Sequence, residues 1–368
     1  MTATVPQREG LLDLLAGSEI PGHQSLSRAQ CEQLVRRYGT QSSAYFNLQS
    51  DVQRFGAPGL GFIAYAPVHT FFGRVNIVFS NPVCEANARL WLLRECIRQV
   101  PGAFIFSGID AETANDLETL GYSINGMGSE FRVRIPEFSV AGKHKKQLRH
   151  ASNLGHRHGL NVLEQRAAEV DLDQLRQVSE NWRRHKTVKR HELRLLTRPP
   201  VLDDEWGVRK FYAYQGSQLL GCVFFDPFFD QGRVVGYTAN ILRQDPENSP
   251  SGLLDYIILR AMDRFREEGI EYLSLGISPL HNVRARPGDS WTIRKTCQML
   301  YEYGNDFYAF KALAYHKTRY RGEETPWYLA TRQTPAIKVA WSMLRGTGIV
   351  GQPQLNGTRP CPVTPLAG

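Results

Sequence analysis

Arg243 ends the segment RVVGYTANILR, whose β-branched and aromatic residues read as a strand, and Asp255 follows in the first turn of an amphipathic helix. A guanidinium at a strand end facing a helix N-terminus can orient a carboxyl, carbonyl or phosphate; the alternative for Arg243 is an ordinary surface ion pair. Tyr237 and Asn240 share its strand. Strict alternation puts Tyr237 with Arg243 on one face and Asn240 on the other, unless a bulge near the strand end reverses the order. For Asp255 the roles stand open: satisfying the helix dipole, or binding a substrate amine or working as a base. Further on, Lys317 and Arg319 alternate in HKTRY. On a strand they share a face and both meet a ligand; on a helix they diverge.

Positive charge is concentrated. The chain carries a formal net charge of +8, and residues 139–163 contain Lys143, Lys145, Lys146, Arg149 and Arg157 with no Asp or Glu. A solvated helix face normally interleaves both signs, so an acid-free run points to phosphate or nucleic acid. His144, His150, His156 and His158 lie in the same run, but no carboxylate or thiol is near to complete a metal site, and no metal is expected. A second run, 183–198, sets seven Lys or Arg against the single Glu192; it either binds a ligand or caps a helix C-terminus, where cations are favourable anyway.

These residues need a scaffold, and the pattern supplies one. In residues 249–276, Leu254, Ile257, Ile258, Ala261 and Phe265 recur at helical spacing, Gly269 closes the helix, and YLSLG reads as a buried strand. Strand, loop, helix, strand is the order acetyl-CoA-type acyltransferases use to hold a pyrophosphate on helix amides. That cradle normally needs several glycines, and only Gly252 is present. The first half shows the same logic: strands GFIAYAPV, GRVNIVF, AFIFSGI and SEFRVRI alternate with helices around CEANARLWLLRECIRQV and AETANDLETLG. With no short-period repeat, the reading is a duplicated α/β fold: an N-terminal unit over 25–138, a C-terminal catalytic unit with its basic linker over 139–345, and a Gly- and Pro-rich disordered tail over 346–368.

At 368 residues the chain has length for two cores. Six cysteines are scattered singly, without a CxxC pair, so reduced structural thiols are expected. Neither a signal peptide nor an uninterrupted run of about 18 apolar residues is found, and a cytoplasmic location is expected.

Residues 303–330, YGNDFYAFKALAYHKTRYRGEETPWYLA, resemble the C-terminal catalytic domain of phosphatidylglycerol lysyltransferases and alanyltransferases. The likeness is carried by Gly304, Asn305, Phe307, Tyr308, Phe310, Lys317, Arg319, Tyr320, Pro326, Tyr328, Leu329 and Ala330. LSLGISPL, SGLLDYI and KKQLRHASNLGHRHGL add to it, the second matching Asp255 to a family Asp, and it extends from roughly residue 75 to 332. The resemblance implies tandem acetyltransferase-like (GNAT) folds with mixed central sheets flanked by helices, no cofactor, and charged tRNA as the acyl donor. With the residue readings above, it gives Arg243, Asp255 and Asn240 as catalytic candidates, Tyr237, Lys317 and Arg319 as substrate contacts, and Lys143, Lys145, Lys146, Arg149 and Arg157 as tRNA contacts.

Two departures refine the expectation. The family's Asp-Leu-Met-Arg reads Asn240-Ile241-Leu242-Arg243 here, so a neutral donor amino acid such as serine fits better than lysine. The family's Gly-Phe-Ser-Leu-Gly segment is replaced by HELRLLTRPP, and these 368 residues contain no membrane-spanning part of the kind lipid-modifying members often carry. The expected acceptor is therefore a small hydroxyl compound, as in the family's seryl-tRNA-dependent branch that aminoacylates a hydroxylamine in antibiotic biosynthesis. The alternative is phosphatidylglycerol, approached by a peripheral enzyme through the amphipathic IKVAWSMLR, with Ile337, Trp341 and Leu344 on one side.

Overall fold

The computed structural model describes residues 26–185, 192–195, 197–306 and 308–350. Helix α1 (Arg28–Tyr38) is followed by strands β1 (Gln53–Ala57), β2 (Gly61–Thr70), β3 (Gly73–Phe79) and β4 (Val83–Cys84), then α2 (Ala86–Gln99), β5 (Ala103–Ile109), α3 (Ala111–Thr119) and β6 (Ser123–Arg134). The second half runs α4 (Lys146–Arg157), β7 (Asn161–Glu164), α5 (Leu172–Arg184), β8 (Arg209–Gln215), β9 (Gln218–Asp230), β10 (Arg233–Gln244), α6 (Leu253–Glu267) and β11 (Tyr272–Pro279). Helices α7 (Trp291–Tyr303) and α8 (Phe310–Thr318), strand β12 (Glu323–Thr331) and helix α9 (Ala336–Gly346) complete the order.

The strands form one mixed sheet, β1-β2-β3-β5-β12-β6-β11-β10-β9-β8-β7, with β4 beside β2. Two neighbouring pairs are parallel, β3 with β5 and β10 with β11, and each is bridged by a helix, α2 or α6. This is the acetyltransferase-like unit twice over, as the duplicated pattern suggested. The halves exchange strands: β12 inserts between β5 and β6, and β6 also pairs with β11. Hydrogen bonding therefore runs unbroken across the chain, which holds the two halves in fixed register.

The apolar stripe of α6 explains its docking. Ile257, Ile258, Ala261 and Phe265 are fully buried against the second half of the sheet, and Tyr237 stacks on Phe265 with ring centroids 4.7 Å apart. The basic helix α4 lies on α6, and its small residues permit the close approach. A Cβ added at Gly155 would stand 2.5 Å from the Tyr256 ring, and one at Gly252, which caps α6 at φ +82°, would stand 2.8 Å from Ala151. Cys31, Cys84, Cys96, Cys222 and Cys297 are free and buried; Cys361 and most of the expected tail, residues 351–368, lie outside the described residues.

Candidate functional site

Strands β10 and β11 pair only at Gly236, Tyr237 and Thr238 against Tyr272, Leu273 and Ser274, then part. Into the gap opens a cavity of ≈400 Å³, walled by both strands, by α8 and by Ser42, Ser43 and Phe46 of the first half. The parting is built in on both sides. A register shift between Ser274 and Ile277 carries β11 away, with Gly276 at φ +73°. On β10 a bulge falls between Ala239 and Ile241.

That bulge decides which side chains share the cavity. Tyr237 and Ala239 face α6, whereas beyond Asn240 the alternation is reversed, and Ile241 and Arg243 turn toward α5. Asn240 and Arg243 line the cavity; Tyr237 does not, being packed on Phe265, so its expected substrate contact is withdrawn. The Arg243 guanidinium lies 3.8 Å from the Trp182 ring centroid and gives Nη2 to Glu192 at 2.6 Å. Asn240 donates to Asp226 at 2.7 Å and accepts from the Thr197 hydroxyl at 3.2 Å. Asp226 is also held by the buried Arg198, which reaches Glu205 as well.

HKTRY is the end of helix α8, not a strand, so Lys317 and Arg319 diverge. Lys317 points into the cavity and donates to the Ile277 carbonyl at 2.8 Å. Burial pulls its ammonium down to about pKa 7, against the attraction of Glu130. Arg319 instead binds Asp255 at 2.7 Å, joined there by His316 at 3.0 Å and the Tyr320 hydroxyl at 2.8 Å. Burial alone would raise the Asp255 carboxyl, but these partners outweigh it and hold it below the usual carboxylate range. Asp255 is 2 % exposed and off the cavity wall, so it cannot meet a substrate amine directly. It orients His316, which does line the cavity. The geometry thus offers an acid-oriented imidazole, an amine near neutrality and a guanidinium converging on one space.

The basic run divides as well. Lys143, Lys146 and Arg157 are exposed, but Lys145 donates to the Ser139 carbonyl and Arg149 to those of Val140 and Gly142, so these two pin the linker. In the second run, Arg194 pairs with Asp51 and Arg198 with Asp226, while Arg183 reaches the cavity; Lys186, Lys189 and Arg190 lie outside the described residues. Trp182, Thr197 and His316 were not singled out from sequence, and Glu192 was noted only as the one acid of the second basic run. His316 alone had a visible signal, standing beside Lys317. Among the described residues no cluster of three or more His, Cys, Asp or Glu is placed for a metal ion, and no helix is long and apolar enough to cross a membrane.

Fold and cleft together define a tandem acetyltransferase-like protein. Residues 32–331 match the family "Phosphatidylglycerol lysyltransferase, C-terminal", and the chain belongs to that family. Phosphatidylglycerol lysyltransferase of Bacillus subtilis is 23% identical over 292 residues, covering 76% of this chain and 33% of that protein. The C-terminal domain of a putative lysylphosphatidylglycerol synthetase from Agrobacterium fabrum superimposes with TM-score 0.71 at 22% identity, over 88% of this chain and 98% of that one. L-PGS from Bacillus licheniformis gives TM-score 0.71 at 20% identity, over 89% and 97%. The chain spans a third or less of the length of the curated relatives it matches.

Proposed function

We propose that this protein is a cytoplasmic aminoacyltransferase that moves an amino acid from charged tRNA to the hydroxyl of an acceptor bound in the cleft. The observation that carries the reading is the convergence of Arg243, His316 and Lys317 on a ≈400 Å³ cavity, a volume suited to an aminoacyl ester and a small acceptor. Transfer needs a base for the incoming hydroxyl, a cation for the ester oxygen as charge develops, and a proton for the leaving ribose. Lys317, about half neutral near pH 7, takes the acceptor proton and can return it to the ribose oxygen. Arg243 orients the ester carbonyl or a terminal phosphate, and His316, steadied by Asp255, fixes the acceptor. The exposed Lys143, Lys146 and Arg157 suit the tRNA backbone. A coenzyme A donor is disfavoured, because α4 packs where its pyrophosphate would approach the α6 N-terminus.

At the donor site, the uncharged Asn240 favours a neutral amino acid, serine first. A small hydroxyl compound, such as a hydroxylamine, is the acceptor we propose. A second reading, phosphatidylglycerol aminoacylation, is favoured by one surface. Phe71 (76 % exposed) and Phe72 sit at the β2–β3 turn, Phe71 contacts Trp341 of α9 at 5.7 Å, and Ile337 is exposed on the same helix. Residues 58–84 and 331–350, which carry this face, contain no Asp or Glu, as suits an anionic bilayer. Incubating the protein with labelled seryl-, alanyl- and lysyl-tRNA, then separating lipid from aqueous products, tests both. Label leaving seryl- or alanyl-tRNA for an aqueous product is expected; label in lipid transfers the reading to phosphatidylglycerol.

A further inference from the structure

Resting on the aminoacyl-transfer reading, we infer that Glu192 is the residue that recognises the donor's α-ammonium group. An α-amino ester is largely protonated on nitrogen near pH 7, and an ammonium taken out of water needs a carboxylate. Glu192 is the only Asp or Glu among the described residues lining the cavity. The carboxylates nearby are already committed: Asp226 to Arg198 and Asn240, Asp255 to His316, Arg319 and Tyr320. Asn240 is uncharged, and its amide is already taken by Asp226 and Thr197.

Glu192 is different. Its side chain keeps 31 % of its exposure, and one oxygen, Oε2, receives Arg243 at 2.6 Å, which leaves Oε1 able to accept from a ligand. The pairing also has the right order. An α-amino ester presents its ammonium and its carbonyl on adjacent carbons, and Glu192 and Arg243 stand side by side as carboxylate and guanidinium to meet them. Among the described residues, the cationic side chains on the wall, Arg183, Arg243 and Lys317, would repel the ammonium. The acid comes from HELRLLTRPP, the segment in which this chain departs from its family's pattern, so the carboxylate for the donor ammonium is supplied from outside β10, which contributes Arg243 for the carbonyl.

The test compares one tRNA carrying alanine with the same tRNA carrying N-acetyl-alanine, which keeps the ester and loses the positive charge. Wild-type protein is expected to prefer the free amine by on the order of tenfold to a hundredfold in kcat/KM, the size of one charge-assisted hydrogen bond. Glu192→Gln should lose that preference by slowing the free-amine donor far more than the acetylated one. Equal losses with both donors would mean that Glu192 merely holds Arg243, and a preserved preference would put amine recognition elsewhere; either overturns the assignment. Glu192→Asp, which keeps the charge, should keep the preference, and a melting curve for each variant separates misfolding from lost recognition. A wild-type protein that transfers from both donors equally also overturns the assignment alone, whereas one inert with every charged tRNA overturns the transfer reading beneath it.

Discussion

Replacing Lys317 by Met should abolish transfer while making the protein more stable. Met fills nearly the same volume without the amine, so the α8–β11 packing survives. Loss of a general base costs roughly 10²–10⁴-fold in rate. The stability effect runs the other way. Burial lowers the ammonium from 10.5 to about 7, which amounts to roughly 4–5 kcal/mol against the charged form. Below pH 7 the folded protein carries that penalty in full, because the unfolded chain holds the same proton in water. As pH rises from about 7 toward 10.5 the folded amine is neutral while the unfolded one is still charged, and the penalty fades. Against this, the Ile277 carbonyl loses its donor, at about 1–3 kcal/mol. The net expectation for Lys317→Met is a gain of a few kcal/mol at pH 6, seen as a Tm raised by several degrees and shrinking toward pH 10. Single-turnover transfer should climb with pH through about 7 in the wild type and lose that limb in the variant. Activity retained within about threefold, or an unchanged pH limb, would refute the role of this amine.

Arg243→Ala should cost about a hundredfold in transfer, on the order of 3 kcal/mol in the transition state, with tRNA affinity nearly unchanged; full activity removes it from the site. Lys143, Lys146 and Arg157 changed together to Ala should weaken tRNA binding and flatten its salt dependence. Lys145 and Arg149, which pin the linker, should lower Tm instead, and the reverse pattern would contradict the division drawn from their hydrogen bonds. Gly155→Val should destabilise by roughly 1–3 kcal/mol or more in a denaturant titration, since its side chain meets the Tyr256 ring.

The strand and helix periods of the core were readable because burial enforces them: GRVNIVF and AFIFSGI are β3 and β5 as written, and the apolar stripe ending at Phe265 is α6. That Arg243 and Asn240 would stand at an opening was legible because a strand end before a crossover helix is where such a sheet opens, and both line the cavity. The rest depended on geometry that periodicity does not encode. A single bulge at Asn240 sends Tyr237 to the α6 face and Arg243 to the cavity, and HKTRY carries no pattern strong enough to tell helix from strand. Glu192 lay in a basic run whose net charge hid its one acid. For Asp255 the sequence left a helix-dipole role and amine binding or base work both open, and only its three partners, brought from the end of α8 and the residues just after it, identify it as the support of His316.

The most direct measurement of the central claim is transfer itself: purified protein, charged tRNA labelled on the amino acid, acetyl-CoA in a parallel reaction, and a hydroxyl acceptor supplied from an extract. Label is expected to leave the tRNA in a Lys317-dependent manner and to appear in an ester product, while acetyl-CoA is neither bound nor consumed. Tight acetyl-CoA binding with acetyl transfer, and no loss of label from any aminoacyl-tRNA, would contradict it.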